Sequence, residues 1–278
     1  MQLKIGHIDY LNCVPFFHYL KECGFNGTIV KGVPSVLNKM LAQGQLDVSP
    51  SSSFEYARSY QDYLLLPGLS ISALHAVKSV FLFSPIPIEQ LKGRRIYLTG
   101  ESATSVNLLK VLLSEFYGWD QVSCLVPQQP VEVLLQQGEP VLLIGDRALM
   151  VANAEDAGQR FQYDLAELWR HHTGLPFVFA LWIVRRKAFA TLTEELNQLQ
   201  QQLIASHQMA FGNLDVLAAQ TRQRDWINTK QLVDYWQSIS YRLDDHHLEG
   251  LRLFFKLCVT YEYLSEMPKI NFVDFNCQ

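Results

Sequence analysis

No pair of cysteines stands at CxxC spacing. The five present, Cys13, Cys23, Cys124, Cys258 and Cys277, are scattered and odd in number. A disulfide framework is excluded, and a reduced, cytosolic compartment is expected. The longest apolar run, 177–184, is far short of the ~20 residues of a membrane-spanning helix. The opening MQLKIGHIDYLNC lacks the apolar stretch of a secretion signal, so no export is expected. Blocks of like charge are missing too, and the net charge of −4 argues against a nucleic-acid surface. Neither GxGxxG nor GxxxxGK[ST] occurs, which removes the familiar nucleotide loops, and there is no GxSxG elbow. His171-His172 and His246-His247 are adjacent pairs, and neighbours on a helix do not share a face. No third ligand stands at usable spacing from either pair, so no metal site is expected.

What the chain does have is core-forming material and an alternating pattern. It is 49% hydrophobic and 18% charged over 278 residues, enough for one large domain or two small ones. A strand over 3–8 leads to a turn at Asn12 and Pro15 and a helix to about 21. A strand over 28–31 precedes an amphipathic helix over 36–41 that Gly44 stops. A third strand, 46–48, runs into the turn Pro50-Ser51-Ser52-Ser53 and a helix from Phe54. This alternation predicts an α/β fold with a parallel sheet, whose ligands sit at the carboxyl ends of its strands. Residues 63–66, 69–74 and 77–83 read as strands in close succession, and 85–93 as a loop. Alternation resumes with strands at 96–98, 122–126, 141–144 and 176–184, with helices between them, and the chain is helical after Arg185. The order predicts two lobes, one built from 1–85 with 179–278 and one inserted over 86–178. The crossings fall near Pro85 and Pro176, and a ligand cleft lies between the lobes.

The stretch RRIYLTGESATSVNLLKVLL, 94–113, is the richest in candidate chemistry. It reads as a strand, a polar turn and a helix opening near Thr104, with Thr99, Ser102, Thr104 and Ser105 crowding the turn. Such hydroxyls either cap the helix or help its free N–H groups hold a carboxylate or phosphate. Three strand ends carry such a polar turn: Asn12, Ser51–Ser53 and Ser102–Ser105. His7, at the end of the first strand, is either a ligand contact or a hydrogen-bonded core histidine. Ser79 is either a ligand contact or a satisfied strand hydroxyl. Asp47 and Asp146 read first as turn or cap residues. From the residues alone the chain is a two-lobed binder of a small anion.

Several stretches resemble one family. Gly6-His7-Ile8-Asp9-Tyr10-Leu11-Asn12-Cys13-Val14-Pro15, Gly44-Gln45-Leu46-Asp47-Val48, Val77-Lys78-Ser79-Val80, Leu98-Thr99-Gly100-Glu101-Ser102-Ala103-Thr104-Ser105-Val106 and Thr173-Gly174-Leu175-Pro176-Phe177-Val178-Phe179-Ala180 are similar to segments of the chorismate dehydratases of the futalosine route to menaquinone. The likeness runs through about residues 3–185. It implies a type 2 periplasmic-binding-protein-like fold that has become an enzyme. It also implies loss of water from chorismate to give 3-[(1-carboxyvinyl)oxy]benzoate, with no metal or nucleotide cofactor. By the same resemblance Asn12 and Ser79 are the catalytic candidates, and His7, Ser52, Ser102, Thr104, Ser105 and Asp146 the substrate-binding ones. Arg147 and His172 depart from the family's usual residues and bear on the cleft rim. The expected partner is chorismate, with no nucleic acid and no membrane; a homodimer follows if the last helix exposes its apolar face. Three alternatives remain at this point: the sister 1,4-dihydroxy-6-naphthoate synthase, a solute-binding protein of the same fold, and a ligand-sensing domain.

Overall fold

The computed structural model describes residues 2–154, 160–221 and 225–275; Cys277 lies outside them. Eleven strands are named among these residues, in chain order β1 (Lys4–Ile8), β2 (Thr28–Gly32), β3 (Val48–Ser52), β4 (Tyr63–Ala73), β5 (Val80–Ser84), β6 (Ile96–Leu98), β7 (Cys124–Leu125), β8 (Val141–Ile144), β9 (Phe161–Asp164), β10 (Phe177–Arg185) and β11 (Ser240–Leu243). They form a six-stranded sheet in the order β11-β4-β10-β3-β1-β2 and a five-stranded sheet in the order β7-β6-β8-β5-β9. Parallel pairing holds β1 to β2 and β3, and β6 to β7 and β8, while β4, β5 and β10 pair antiparallel. A mixed sheet of this kind needs crossings, and they are what bring strand ends of both sheets to one place.

The expected lobe boundary at residue 85 is corrected by strand pairing. β5 belongs to the second sheet, between β8 and β9, so the first crossing runs through 74–79. The apolar run 77–83 does not continue as one strand because Lys78 takes a left-handed φ of 60°. Its N–H is held there by Asp164 Oδ2 at 2.6 Å. The serine-rich 50–52 segment is no turn either. It is the end of β3, buried at all five positions and paired with β10. Polar composition suggested a loop, but burial between neighbours decides the conformation.

Helices cover both sheets. α1 (Val14–Phe17) is shorter than expected, preceded by a 3-10 turn at Leu11–Cys13. α2 (Pro34–Ala42), α3 (Ser53–Arg58) and α4 (Ala103–Tyr117) follow β2, β3 and β6. α4 ends at Gly118, whose φ of 65° is the left-handed turn that glycine adopts without strain. α5 (Val131–Gln136), α6 (Gly145–Ala152) and α7 (Leu165–Thr173) complete the second sheet's cover. α8 (Arg186–Phe189), α9 (Thr193–Gly212), α10 (Leu214–Gln220), α11 (Thr229–Ser238) and α12 (Asp245–Thr260) form the helical tail, which β11 interrupts. One large core reaches from the first sheet into the second, joined at α4 and β10. Leu251, Phe254, Phe255 and Cys258 of α12 are buried within it. The helix face expected to offer a dimer surface is therefore covered by this chain itself. Among the described residues no helix is long and apolar enough to cross a membrane.

Candidate functional site

Between the two sheets lies a cavity of about 50 Å³, well below the roughly 300–1,000 Å³ of small-molecule sites. Ile71, Val77, Val80, Ile144 and Phe179 make its apolar wall. Asn12, Ser52, Ser79, Ser102 and Ser105 supply its polar groups. Five of the eight sequence-predicted site residues, from four separate stretches of chain, thus meet in one space. No charged side chain is in its lining among the described residues. An anion there would be held by neutral donors and helix ends.

Asn12 is held with unusual care. Leu11 N–H donates to Asp146 Oδ1 at 2.9 Å, Trp236 Nε1–H donates to Leu11 O at 2.7 Å, and Tyr241 OH donates to Asn12 O at 2.9 Å. Three separate elements therefore fix this backbone turn, while the Asn12 Oδ1 atom is buried with no hydrogen-bond partner. A buried acceptor left unpaired costs about 1–3 kcal/mol, a cost that a ligand donor would remove.

The serines act first as caps. Ser52 Oγ accepts from Glu55 N–H at 3.1 Å at the start of α3. Ser102 Oγ accepts from Ser105 N–H and from Ser105 Oγ, both at 3.2 Å, at the start of α4. A capping serine uses its lone pairs on the helix and keeps its own O–H to give. Capping and anion binding are thus compatible here, with the positive end of fifteen-residue α4 turned toward the cavity. Ser79 Oγ makes a long contact of 3.4 Å to Val77 O and also faces the Tyr235 hydroxyl. Tyr235, fully buried beside it, has its hydroxyl pKa pushed up by burial.

Three predicted contacts lie elsewhere. Thr104 is completely buried and stitches α4 to α3: its Oγ1 accepts from Phe54 N–H at 3.0 Å and meets Ser53 Oγ at 3.3 Å. Since Ser53 gives its proton to Val178 O at 2.8 Å, Thr104 donates to Ser53 and has no hydrogen left for a ligand. His7 faces away from the cleft, because alternate residues of a strand point to opposite sides and Ile8 takes the inner one. Its ring stacks on Phe17 at 3.8 Å beside an outer groove, and burial lowers its pKa to about 4. That groove is larger, about 610 Å³, but of the predicted site residues only His7 lines it. Asp146, a buried residue of the first turn of α6, acts on the site through Leu11 N–H. Asp47 accepts from Lys4 N–H at 2.9 Å, its turn role.

Sequence reasoning missed the closure of the rim. Tyr10 OH donates to Glu101 Oε2 at 2.7 Å, joining the first sheet's turn to the second sheet's loop. Arg147 Nη1 donates to Glu101 Oε1 at 3.2 Å, and its Nε and Nη2 grip both oxygens of Glu132 at 2.6 and 2.7 Å. The Arg147 fork holds the Glu132 carboxyl below its ordinary range. Burial and Glu101 together raise the Tyr10 hydroxyl pKa, so Tyr10 remains a donor. Gly145, at φ 62°, lies under the Tyr10 ring, where a Cβ would come within 2.8 Å of ring carbons. The only sequence signal was Arg147, noted as out of pattern at the rim. His172, the other departure, stacks on Phe116 at 4.4 Å. The second histidine pair is otherwise engaged: His247 bridges Asp244 and Ser240, and His246 faces Glu249.

The family model described as menaquinone biosynthesis matches residues 3–260. A chorismate dehydratase of Thermus thermophilus is 32% identical over 263 residues, covering 90% of this chain and 93% of that protein. A chorismate dehydratase of Campylobacter jejuni is 29% identical over 260 residues, covering 91% and 96%. Among solved structures, a Candida albicans protein described as having the generic periplasmic binding protein fold aligns with a TM-score of 0.69 at 12% identity, covering 100% of each chain. That likeness fixes the fold, and the match over 3–260 fixes the family. The chain belongs to the menaquinone biosynthesis family.

Proposed function

We propose that this chain is a chorismate dehydratase, a hydro-lyase that takes water from chorismate and releases 3-[(1-carboxyvinyl)oxy]benzoate. The buried, unpaired Asn12 Oδ1, set on a backbone turn held by three elements and lining the cleft, carries this reading. The names of the two relatives support it. A cytoplasmic location and the absence of a metal or nucleotide cofactor go with it.

In the reaction a C–H bond breaks at the ring carbon that carries the ether, and the neighbouring C–O bond breaks to release the hydroxyl. The electrons of the C–H bond become ring π electrons, and the product is aromatic. Much of the driving force is thus in the substrate, and the protein's part is orientation and exclusion of water. Asn12 is a poor base, because a neutral amide has almost no basicity near neutral pH. In this reading it orients the departing hydroxyl and a substrate carboxylate; that carboxylate takes the ring proton and hands it to the departing hydroxyl, which leaves as water. Ser79 holds a carboxylate from the side of the 74–79 crossing. Ser102, with the α4 start and Ser52 opposite, holds the second, while Ser105 gives its O–H to Ser102. The lobes built on the two sheets close over the ligand, with Tyr10 and Glu101 joining at the rim.

The test is to incubate the purified protein with chorismate and follow products by chromatography and mass. The expected product is lighter by one water and keeps its enolpyruvyl ether. Asn12→Ala is expected to lose at least 100-fold in kcat. Unchanged chorismate, or full turnover by Asn12→Ala with wild-type affinity, would refute the reading or the role in turn.

A further inference from the structure

A second open space, about 660 Å³, lies beside the start of α4, and it shares Ser102 with the lining of the cleft. Both sheets' helices form its walls: Asn38 and Lys39 of α2 with Arg58 of α3 on one side, Asn107 and Lys110 of α4 on the other. Its charge is one-sided. Glu55, the only carboxylate in the lining, is paired with Arg58. Among the described residues neither Lys39 nor Lys110 has an ion pair; Lys110 stands 5.4 Å from the centre of the Tyr263 ring and near the Cys124 thiol. A cation–π contact leaves the ammonium charge uncancelled. Two positive charges therefore stand over this groove in a chain whose net charge is −4. Asn38 adds a polar group in the wall: it is 8% exposed, and its Oδ1 has no partner. The other rim differs. There Tyr10 closes on Glu101, and Arg147 stands between two carboxylates.

We propose that this groove is the docking vestibule of the cleft, where Lys39 and Lys110 draw in a small dicarboxylate and pass it across Ser102. The inference rests on the dehydratase reading only for the identity of that dianion. A dianion approaching the closed rim meets excess negative charge and a hydrogen-bonded seal; approaching the groove it meets uncancelled ammonium groups. Charges lining an approach raise association rates by roughly 10- to 1000-fold, and salt removes the effect. Two partly solvated lysines belong at the lower end, about tenfold.

The experiment compares wild type with the Lys39→Gln/Lys110→Gln variant, both verified as folded by thermal melting. Isophthalate, a stable aromatic dicarboxylate, serves as the probe, and its association is followed by stopped-flow tryptophan fluorescence at low and high salt. The expected result is about tenfold slower association for the variant at low salt, with the two rates converging at high salt. Lys39→Glu/Lys110→Glu is expected to be slower still. In chorismate turnover the loss falls on kcat/KM. Equal association rates and equal salt slopes would overturn the vestibule, as would a wild-type protein that takes up no isophthalate at low salt. Wild type that takes up isophthalate but leaves chorismate unchanged would overturn the dehydratase reading alone.

Discussion

Tyr10→Phe removes one hydroxyl, and with it the direct bond between the two sides of the rim. The lost interaction is a hydrogen bond to a carboxylate at 2.7 Å, worth about 1.5–3 kcal/mol when well formed. Glu101 is only 20% exposed and stays gripped by Arg147, so it does not swing out freely to water. The lower half of that range is appropriate, because Arg147 still satisfies one carboxylate oxygen. About 1.5 kcal/mol is roughly a tenfold shift of the closed form toward the open one. In chorismate turnover this is expected as a roughly tenfold rise in KM with a smaller fall in kcat. It is also expected as a melting temperature lower by about 3 °C, at some 2 °C per kcal/mol for a chain of this size. The assay is a double-mutant cycle with Glu101→Gln, read by both KM and melting. A coupling of about 1 kcal/mol or more supports the closure. Additive effects, with no coupling in either readout, would refute the reasoning that this bond holds the rim closed.

Gly145→Ala should disturb the same rim from below, since the new Cβ would meet the Tyr10 ring at 2.8 Å and the φ of 62° is strained for alanine; a loss of about 1–3 kcal/mol in urea unfolding is expected. Trp236→Phe removes the donor to Leu11 O without touching the cleft, so a fall in kcat exceeding the change in KM would identify it as a positioning residue for Asn12. Thr104→Val leaves Phe54 N–H without its acceptor; equilibrium unfolding should show a loss of about 1–3 kcal/mol. For His7 the sign is set by its pKa of about 4 against 6.5 unfolded, burial being the main cause. The unfolded state binds the proton first as pH falls, so the contribution of neutral His7 is complete above about 6.5 and is lost as pH falls toward 4. The loss at pH 5 is about 2 kcal/mol, and His7→Phe, which keeps the stack on Phe17, should remove that slope from urea melts.

Local patterns made the strand–helix alternation of the first sixty residues and the start of α4 legible in sequence, because these elements rest on periodicity and caps. The strand character of Pro50, Ser51 and Ser52 was hidden, since it follows from burial between β1 and β10. β9, α7 and β11 were missed where polar residues dominate, as in the burial-poor FQYD of β9. The candidate site divides along the same line. Asn12, Ser52, Ser79, Ser102 and Ser105 could be named because each sits at a strand end, crossing or helix start. His7 could have been excluded by the period of two that places Ile8 inward. Tyr10, Glu101, Arg147 and Gly145 could not be joined, because their contact spans 91 residues at its first bond and is created only when the two sheets meet.

The division also explains why the cleft has no cation among its described lining residues. A lysine or arginine inside a small, mostly apolar cavity would be desolvated, and without a ligand it would raise the cost of closing the lobes. Serines at helix starts avoid that cost: their lone pairs are already used on Glu55 N–H and Ser105 N–H, and their O–H groups need only turn toward a ligand. The charges stand instead where water still reaches them, at Lys39 and Lys110 on the approach and at Glu101, Glu132 and Arg147 on the rim. Attraction at long range and orientation at short range are thereby given to different residues. It follows that lysine substitutions should act through salt-dependent capture, while changes at Asn12 or at Trp236, which holds it, should act on the chemical step. A Lys39→Gln/Lys110→Gln variant whose deficit lay in kcat and ignored salt would contradict that separation.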